Sequence, residues 1–186
     1  TDNPEEVIKN YQDTRIHYFK SEKNEGQMPS VNKLLKMAKG DFFISCSSDD
    51  IIDPTLFAKL RAEFQKDPFL EHVASQNDFI NEEGKPYTEH HPFKTIEKAI
   101  NRSQQDWISR LYAGNVYFGM AMYRISALIE VGPWDPKHGV ISDYEMYLRL
   151  IPRYNFKIVE EPLTHTRIHG NNLSLLGPEE AGKLRK

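Results

Sequence analysis

Asp49 and Asp50 stand where a short apolar run, Phe42-Phe43-Ile44-Ser45-Cys46, empties into Ser47-Ser48-Asp49-Asp50. Ligands of open α/β sheets bind beyond the carboxyl ends of the strands. Two adjacent carboxylates in extended backbone alternate in direction, so one can face a cation while the other meets a hydroxyl. Mg²⁺ and Mn²⁺ take such hard oxygen ligands together with water and phosphate. The same tetrapeptide also reads as a polar strand-to-helix turn that merely uses Asp and Ser. Asp143 is the second candidate. Ser142-Asp143-Tyr144-Glu145 fits a capping box, with Ser142 as the cap and Glu145 at the third helical position, and an acid there gains from the helix dipole. A carboxylate projecting from a helix start into a cleft can also take a proton from an attacking hydroxyl.

The third candidate is Arg167-Ile168-His169, followed by Gly170-Asn171-Asn172. In an extended segment Arg167 and His169 point the same way. A guanidinium suits a diphosphate and a neutral imidazole suits a metal, while a surface strand with a turn accounts for the same residues. The fourth is Trp134-Asp135, just after Gly132-Pro133; Trp134 reads equally as a sugar-facing aromatic and as core. The other histidines, His17, His72, His90, His91, His138 and His165, lack ligand spacing and read as surface or loop residues. There is no Gly-rich phosphate loop, Cys-based zinc pattern or nucleophile elbow.

The elements that must position these residues alternate, short apolar runs with helical patterns, which predicts an α/β domain. Asn3 and Pro4 open a helix with Val7, Ile8 and Tyr11 on one face. Arg15 to Phe19 reads as a strand, and Ser30 as the cap of a helix with Val31, Leu34, Leu35 and Ala38 inward, ended by Gly40. Phe42 to Cys46 reads as a buried central strand. Asp53-Pro54 starts a helix that buries Leu56, Leu60 and Phe64. Further on come a strand from His72 to Ile80, a turn at Asn81-Glu82-Glu83-Gly84, a loop from Tyr87 to Thr95 and a helix from Ile96 to Tyr112. A strand from Val116 to Arg124, a short helix from Ser126 to Val131 ended by Gly132, a helix from Ser142 to Ile151 and an extended stretch from Phe156 to Ile168 complete the pattern. The division expected is one domain over 1–176 and a polar tail over 177–186.

Composition narrows the class. The 186 residues carry 39% hydrophobic and 27% charged side chains and a net charge of -3. That suits one globular domain with a real core and shows no basic stripe for nucleic acid. Cys46 is the single cysteine; it cannot form an internal disulfide, reads as a small buried hydrophobe and suits a reducing compartment. No run approaches the roughly 18 apolar residues of a membrane span, and the opening does not read as a secretory leader. Peripheral membrane contact stays open.

Taken in order, these pieces resemble the family-two glycosyltransferases, the large inverting GT-A group. Thr1-Asp2-Asn3 is similar to the end of that family's Asp-Asp-Gly-Ser-Thr-Asp segment. Asn24-x-Gly26, Asn32 and Ala38-Lys39-Gly40-Asp41-Phe42-Phe43-Ile44 resemble the approach to its metal motif, whose place Ser47-Ser48-Asp49-Asp50 and Pro54 take. Ile129-x-Val131-Gly132-Pro133-Trp134-Asp135 resembles the acceptor-side Gly-Gly-Phe-Asp turn, and Ser142 to Leu150 the Glu-Asp motif with its helix. Arg167-x-His169-x-x-Asn172-x-Ser174 resembles the closing Arg-x-His segment. Ser47 replaces the family's first aspartate and Ser142 the usual glutamate. The absence of Gln-x-x-Arg-Trp argues against a processive synthase.

The resemblance implies a GT-A fold, a mixed sheet flanked by helices, and transfer of a sugar from a nucleotide-diphospho-sugar to an acceptor hydroxyl with inversion. Asp143 would be the base. Asp49, Asp50, Asn24 and Arg167 would bind the donor, Asp49, Asp50 and His169 would hold Mn²⁺ or Mg²⁺, and Trp134 and Asp135 would shape the acceptor side. A UDP-sugar donor, a saccharide or lipid-linked acceptor, and bacterial surface polysaccharide or glycoconjugate synthesis in the cytoplasm, with the inner face of the membrane as an open alternative, are the implied setting. The family's first strand and early aspartate would lie upstream of Thr1. The expectation is therefore an N-terminally truncated domain of weak or no turnover, with an exposed sheet edge that invites a homodimer. Two other classes remain: a non-catalytic binding module and a sugar nucleotidyltransferase.

Overall fold

The structure, a computed structural model, describes residues 3–88, 102–113, 119–170 and 172, the Val140 side chain excepted. Its apolar runs pair into one mixed sheet. β3 (Leu70–Ile80) and β5 (Asn155–Arg167) run parallel to each other. β4 (Ala121–Arg124) lies antiparallel to β3, β1 (Phe42–Ile44) antiparallel to β4, and β2 (Ile51–Ile52) antiparallel to β5. The strand order is β1-β4-β3-β5-β2.

Alternation along the strands sends side chains to two cores. Val73 and Met122 face α3 (Leu56–Lys66), whose Leu56, Leu60 and Phe64 are buried as their four-residue spacing predicts. Each such side chain contributes about 1.5–3 kcal/mol of burial. Ala74, Ala121 and Tyr123 face the opposite core. There they meet residues of α4 (Gln104–Tyr112), α5 (Ile125–Val131) and α6 (Ser142–Leu150). The expected α/β layering, a mixed sheet flanked by helices, is therefore what the chain forms.

Several local expectations are corrected. β1 is an edge strand of partly buried residues, not a central one, and it ends at Ile44. Phe42 instead packs its ring 4.6 Å from that of Phe64. Arg15–Phe19 forms no strand: among the described residues no ladder partner lies beside it, and a strand is stable only with neighbours. α1 (Pro4–Lys9) forms, but it buries no residue and Asn3 makes no side-chain cap bond. α2 (Gln27–Met37) starts after Gly26, ahead of the expected cap Ser30, whose hydroxyl donates to the Gly26 carbonyl from inside the helix. Leu34 is exposed, while Val31 is buried. Cys46 is exposed rather than buried, because the backbone has already left the sheet there.

His72 departs most from its reading. It is fully buried, stacked at 4.8 Å and 9° on Phe156. The stretches expected as the far part of the Tyr87–Thr95 loop, the start of the Ile96–Tyr112 helix and the tail over 177–186 lie outside the described residues, as do His90 and His91.

Candidate active site

The loop after β1 leads across the sheet to β2, whose residues pair near the end of β5, Ile51 with His165 and Ile52 with Thr164. The Asp49-Asp50 pair therefore lies at the carboxyl end of a central strand. Asp50 accepts a hydrogen bond from the Arg167 amide at 3.1 Å. Burial raises its carboxyl above the ordinary range; the Arg167 amide bond opposes the shift, the Asp49 charge adds to it, and the Arg167 and His169 charges oppose it. Asp49 stays exposed, and its Oδ2 lies 3.2 Å from Nε2 of His169. The closing segment is fixed by Asn172, which donates to the Arg167 carbonyl at 2.9 Å and accepts from the His169 amide at 2.6 Å. Asn172 is buried, and no role beyond the motif match was expected of it.

Asp143 lies in the first turn of α6, but the expected capping box does not form. Ser142 lies inside the helix and is fully buried, its hydroxyl donating to the carbonyls of Gly139 at 2.7 Å and Asp135 at 3.0 Å. Glu145 pairs with Arg149 instead. Asp143 accepts from the Tyr144 amide at 2.7 Å. Its carboxyl opens to solvent through the groove, yet protein surrounds it on the other sides. That desolvation raises its pKa, opposed by the amides of Tyr144 and of Asp143 itself.

Asp50 and Asp143, distant in sequence, line one open groove with Asn77, Tyr123, Trp134 and Thr166. Its volume of about 190 Å³ falls below the roughly 300 Å³ at which small-molecule pockets begin. Trp134 is core, as one of its readings has it, and also borders the groove. It is buried against Tyr123 at 6.0 Å and it lines the groove, its backbone held on both sides by Asn32. Asp135 turns to Lys137, which holds its carboxyl below the usual range. Asn24 closes the turn into α2, its Oδ1 accepting from the Gly26 amide at 3.0 Å.

The floor of the groove escaped the sequence reading. Gly119 donates to the Ser75 carbonyl at 2.8 Å, and Thr164 accepts from the Met120 amide at 3.0 Å. A Cβ on Gly119 would come within 2.6 Å of the Ser75 hydroxyl and 2.8 Å of that of Thr164. A signal existed: Ser75 and Asn77 from the middle of β3, and Thr164 and Thr166 near the end of β5, repeat every second residue on paired parallel strands.

Asp49, Asp50 and His169 supply two carboxylates and an imidazole at one junction. Among the described residues they do not form a preassembled group of three metal ligands. Mg²⁺ is commonly held by one or two carboxylates plus substrate phosphates, and the donors present fit that mode.

A mixed, helix-flanked sheet with an acidic loop at its carboxyl end is the architecture of the GT-A nucleotide-sugar transferases. Residues 1–132 match the model of Glycosyl transferase family 2, and the chain belongs to that family. It is 30% identical to an uncharacterized glycosyltransferase of Methanocaldococcus jannaschii, over 90% of this chain and 58% of that one. It is 25% identical to the chondroitin synthase of Pasteurella multocida, over 94% of this chain and 17% of that one. The crystal structure of S. aureus TarS 1-349 in complex with UDP-GlcNAc shares the fold, with a TM-score of 0.71 at 14% identity. That alignment covers 100% of this chain and 53% of TarS 1-349. The chain thus spans little more than half the length of the archaeal relative and about a sixth of the synthase.

Proposed function

We propose that the chain carries part of the active site of an inverting, metal-dependent transferase that moves a sugar from a nucleotide-diphospho-sugar to an acceptor hydroxyl. The observation that carries the reading is the groove itself: Asp50 and Asp143 approach it from distant parts of the sequence. Asp143 accepts the proton of the acceptor hydroxyl. The oxygen attacks the anomeric carbon from the face opposite the diphosphate, the carbon–oxygen bond to phosphate breaks, and the configuration inverts. A raised carboxyl pKa makes Asp143 a stronger base than a solvated aspartate. Asp49, Asp50 and His169 would hold Mn²⁺ or Mg²⁺, which when bound supplies positive charge to the departing diphosphate. Trp134 forms the groove wall on the acceptor side, with Asp135 next to it.

A UDP-sugar donor is supported by family frequency and by the fold shared with TarS 1-349, solved with UDP-GlcNAc. A saccharide or lipid-linked acceptor in polysaccharide or glycoconjugate synthesis is supported by the likeness to chondroitin synthase. Among the described residues no helix is long and apolar enough to cross a membrane.

The test is Asp143→Asn in the full chain. Transfer should fall by about 10²–10⁴-fold while UDP-sugar affinity, measured calorimetrically with Mn²⁺, is retained. Loss of donor binding in that variant would contradict the base assignment. Absence of metal-dependent nucleotide binding in the unaltered chain would favour a binding module.

A further inference from the structure

Arg167 looks in sequence like a diphosphate ligand, but its surroundings assign it other work. Its Nε donates to the Asp49 carbonyl at 2.9 Å. Nη1 donates to the carbonyls of Asn81 at 3.0 Å and Glu82 at 2.7 Å. The Arg167 amide holds Asp50, and its carbonyl is held by Asn172. One residue thus ties together the acidic loop, the turn that follows β3, the end of β5 and the closing segment. All three side-chain acceptors are neutral backbone oxygens, and among the described residues no carboxylate pairs with the guanidinium. A planar fork reaches two chain segments at once, and a lysine ammonium, a single donor point, cannot reproduce that geometry.

The turn is built to receive the clamp. Asn81 Oδ1 accepts from the amides of Glu83 at 3.1 Å and Lys85 at 2.8 Å, which aims the Asn81 and Glu82 carbonyls at Arg167. Asn81 itself does not line the groove.

We infer that Arg167 is a positioning residue: by clamping the carbonyls of Asn81 and Glu82 to that of Asp49, it makes the turn after β3 set the placement of the Asp49-Asp50 loop, and with it donor affinity. The effect on donor affinity rests on the functional reading given above; the clamp does not.

Two variants of the full chain test it, Arg167→Lys, which keeps the charge and loses the fork, and Asn81→Ala, which loosens the turn without touching the groove. The first readout needs no ligand: exchange of the residue-167 amide, which donates to Asp50, followed by NMR. It should speed up about ten-fold in both variants. The second is titration with UDP plus MnCl₂, where affinity should fall about ten-fold in both, with donor KM raised and acceptor KM unchanged. Unaltered exchange in both variants overturns the clamp. Parent-like UDP affinity in Arg167→Lys overturns its role in donor binding, since charge alone would then suffice. If the unaltered chain binds no UDP with Mn²⁺, the functional reading fails, and the exchange readout still decides the clamp.

Discussion

Two titratable side chains face opposite protonation problems. Asp143 is raised by desolvation, so its proton is bound more tightly folded than unfolded. The sign is the reverse of a salt-bridged aspartate: ionising it costs stability above its folded pKa, and that cost vanishes as pH falls through it. Asp143→Asn should therefore raise Tm at neutral pH even as it slows transfer. In its proposed role as the base Asp143 must be ionised, so the acid limb of kcat/KM should lie above the ordinary aspartate value of about 3.9, and activity should fall as pH drops through it. His72 is neutral in the fold, its pKa lowered to about 3 by burial alone, and neither ring nitrogen has a protein partner among the described residues. The unfolded chain binds that proton near pH 6.5. Stability is thus intact above that pH and lost on the way down towards 3. Between neutrality and pH 5 the loss amounts to about 2 kcal/mol. His72→Phe, stacked the same way on Phe156, should flatten that acid limb in urea melts; an unchanged pH dependence would refute this.

At the scale of elements, residue spacing was a good guide wherever an element buries one face. The four-residue spacing of Leu56, Leu60 and Phe64 and the apolar content of β3 were legible because they meet a partner inside the described fold. Ile16 and Phe19 were misread as strand residues, since that pattern needs a pairing partner; both remain exposed, as do Val7 and Tyr11 beside them. The capping box at Ser142 failed because the hydroxyl found nearer carbonyls and Arg149 claimed Glu145. That arginine also donates to the carbonyls of Val131 at 2.6 Å, Gly132 at 3.0 Å and Pro133 at 3.0 Å, fixing the turn that presents Trp134. Arg149→Lys should lower stability by about 2 kcal/mol in thermal or urea melts and weaken acceptor more than donor binding. Gly119→Ala should cost about 1–3 kcal/mol, since its Cβ meets the Gln76 carbonyl at 2.7 Å as well as two hydroxyls, and the donor KM should rise with the deformed floor.

Across the whole molecule, the acidic residues were legible by type and order, whereas their meeting in one cleft was implied by the family resemblance alone. Convergence depends on the crossing from β1 at one edge to β2 at the other, a non-local pairing that no local spacing encodes. The same is true of the floor, where Gly119 lies against Ser75 and Thr164 from two other strands. Mn²⁺ bound together with UDP reports directly on the groove that Asp50 and Asp143 share. In NMR spectra of the chain with UDP, replacing Mg²⁺ by paramagnetic Mn²⁺ should broaden the amide signals of Asp49 and Asp50 and also those of Asp143 and Tyr144. Broadening confined to one of these segments, or seen in neither, would contradict a common donor site.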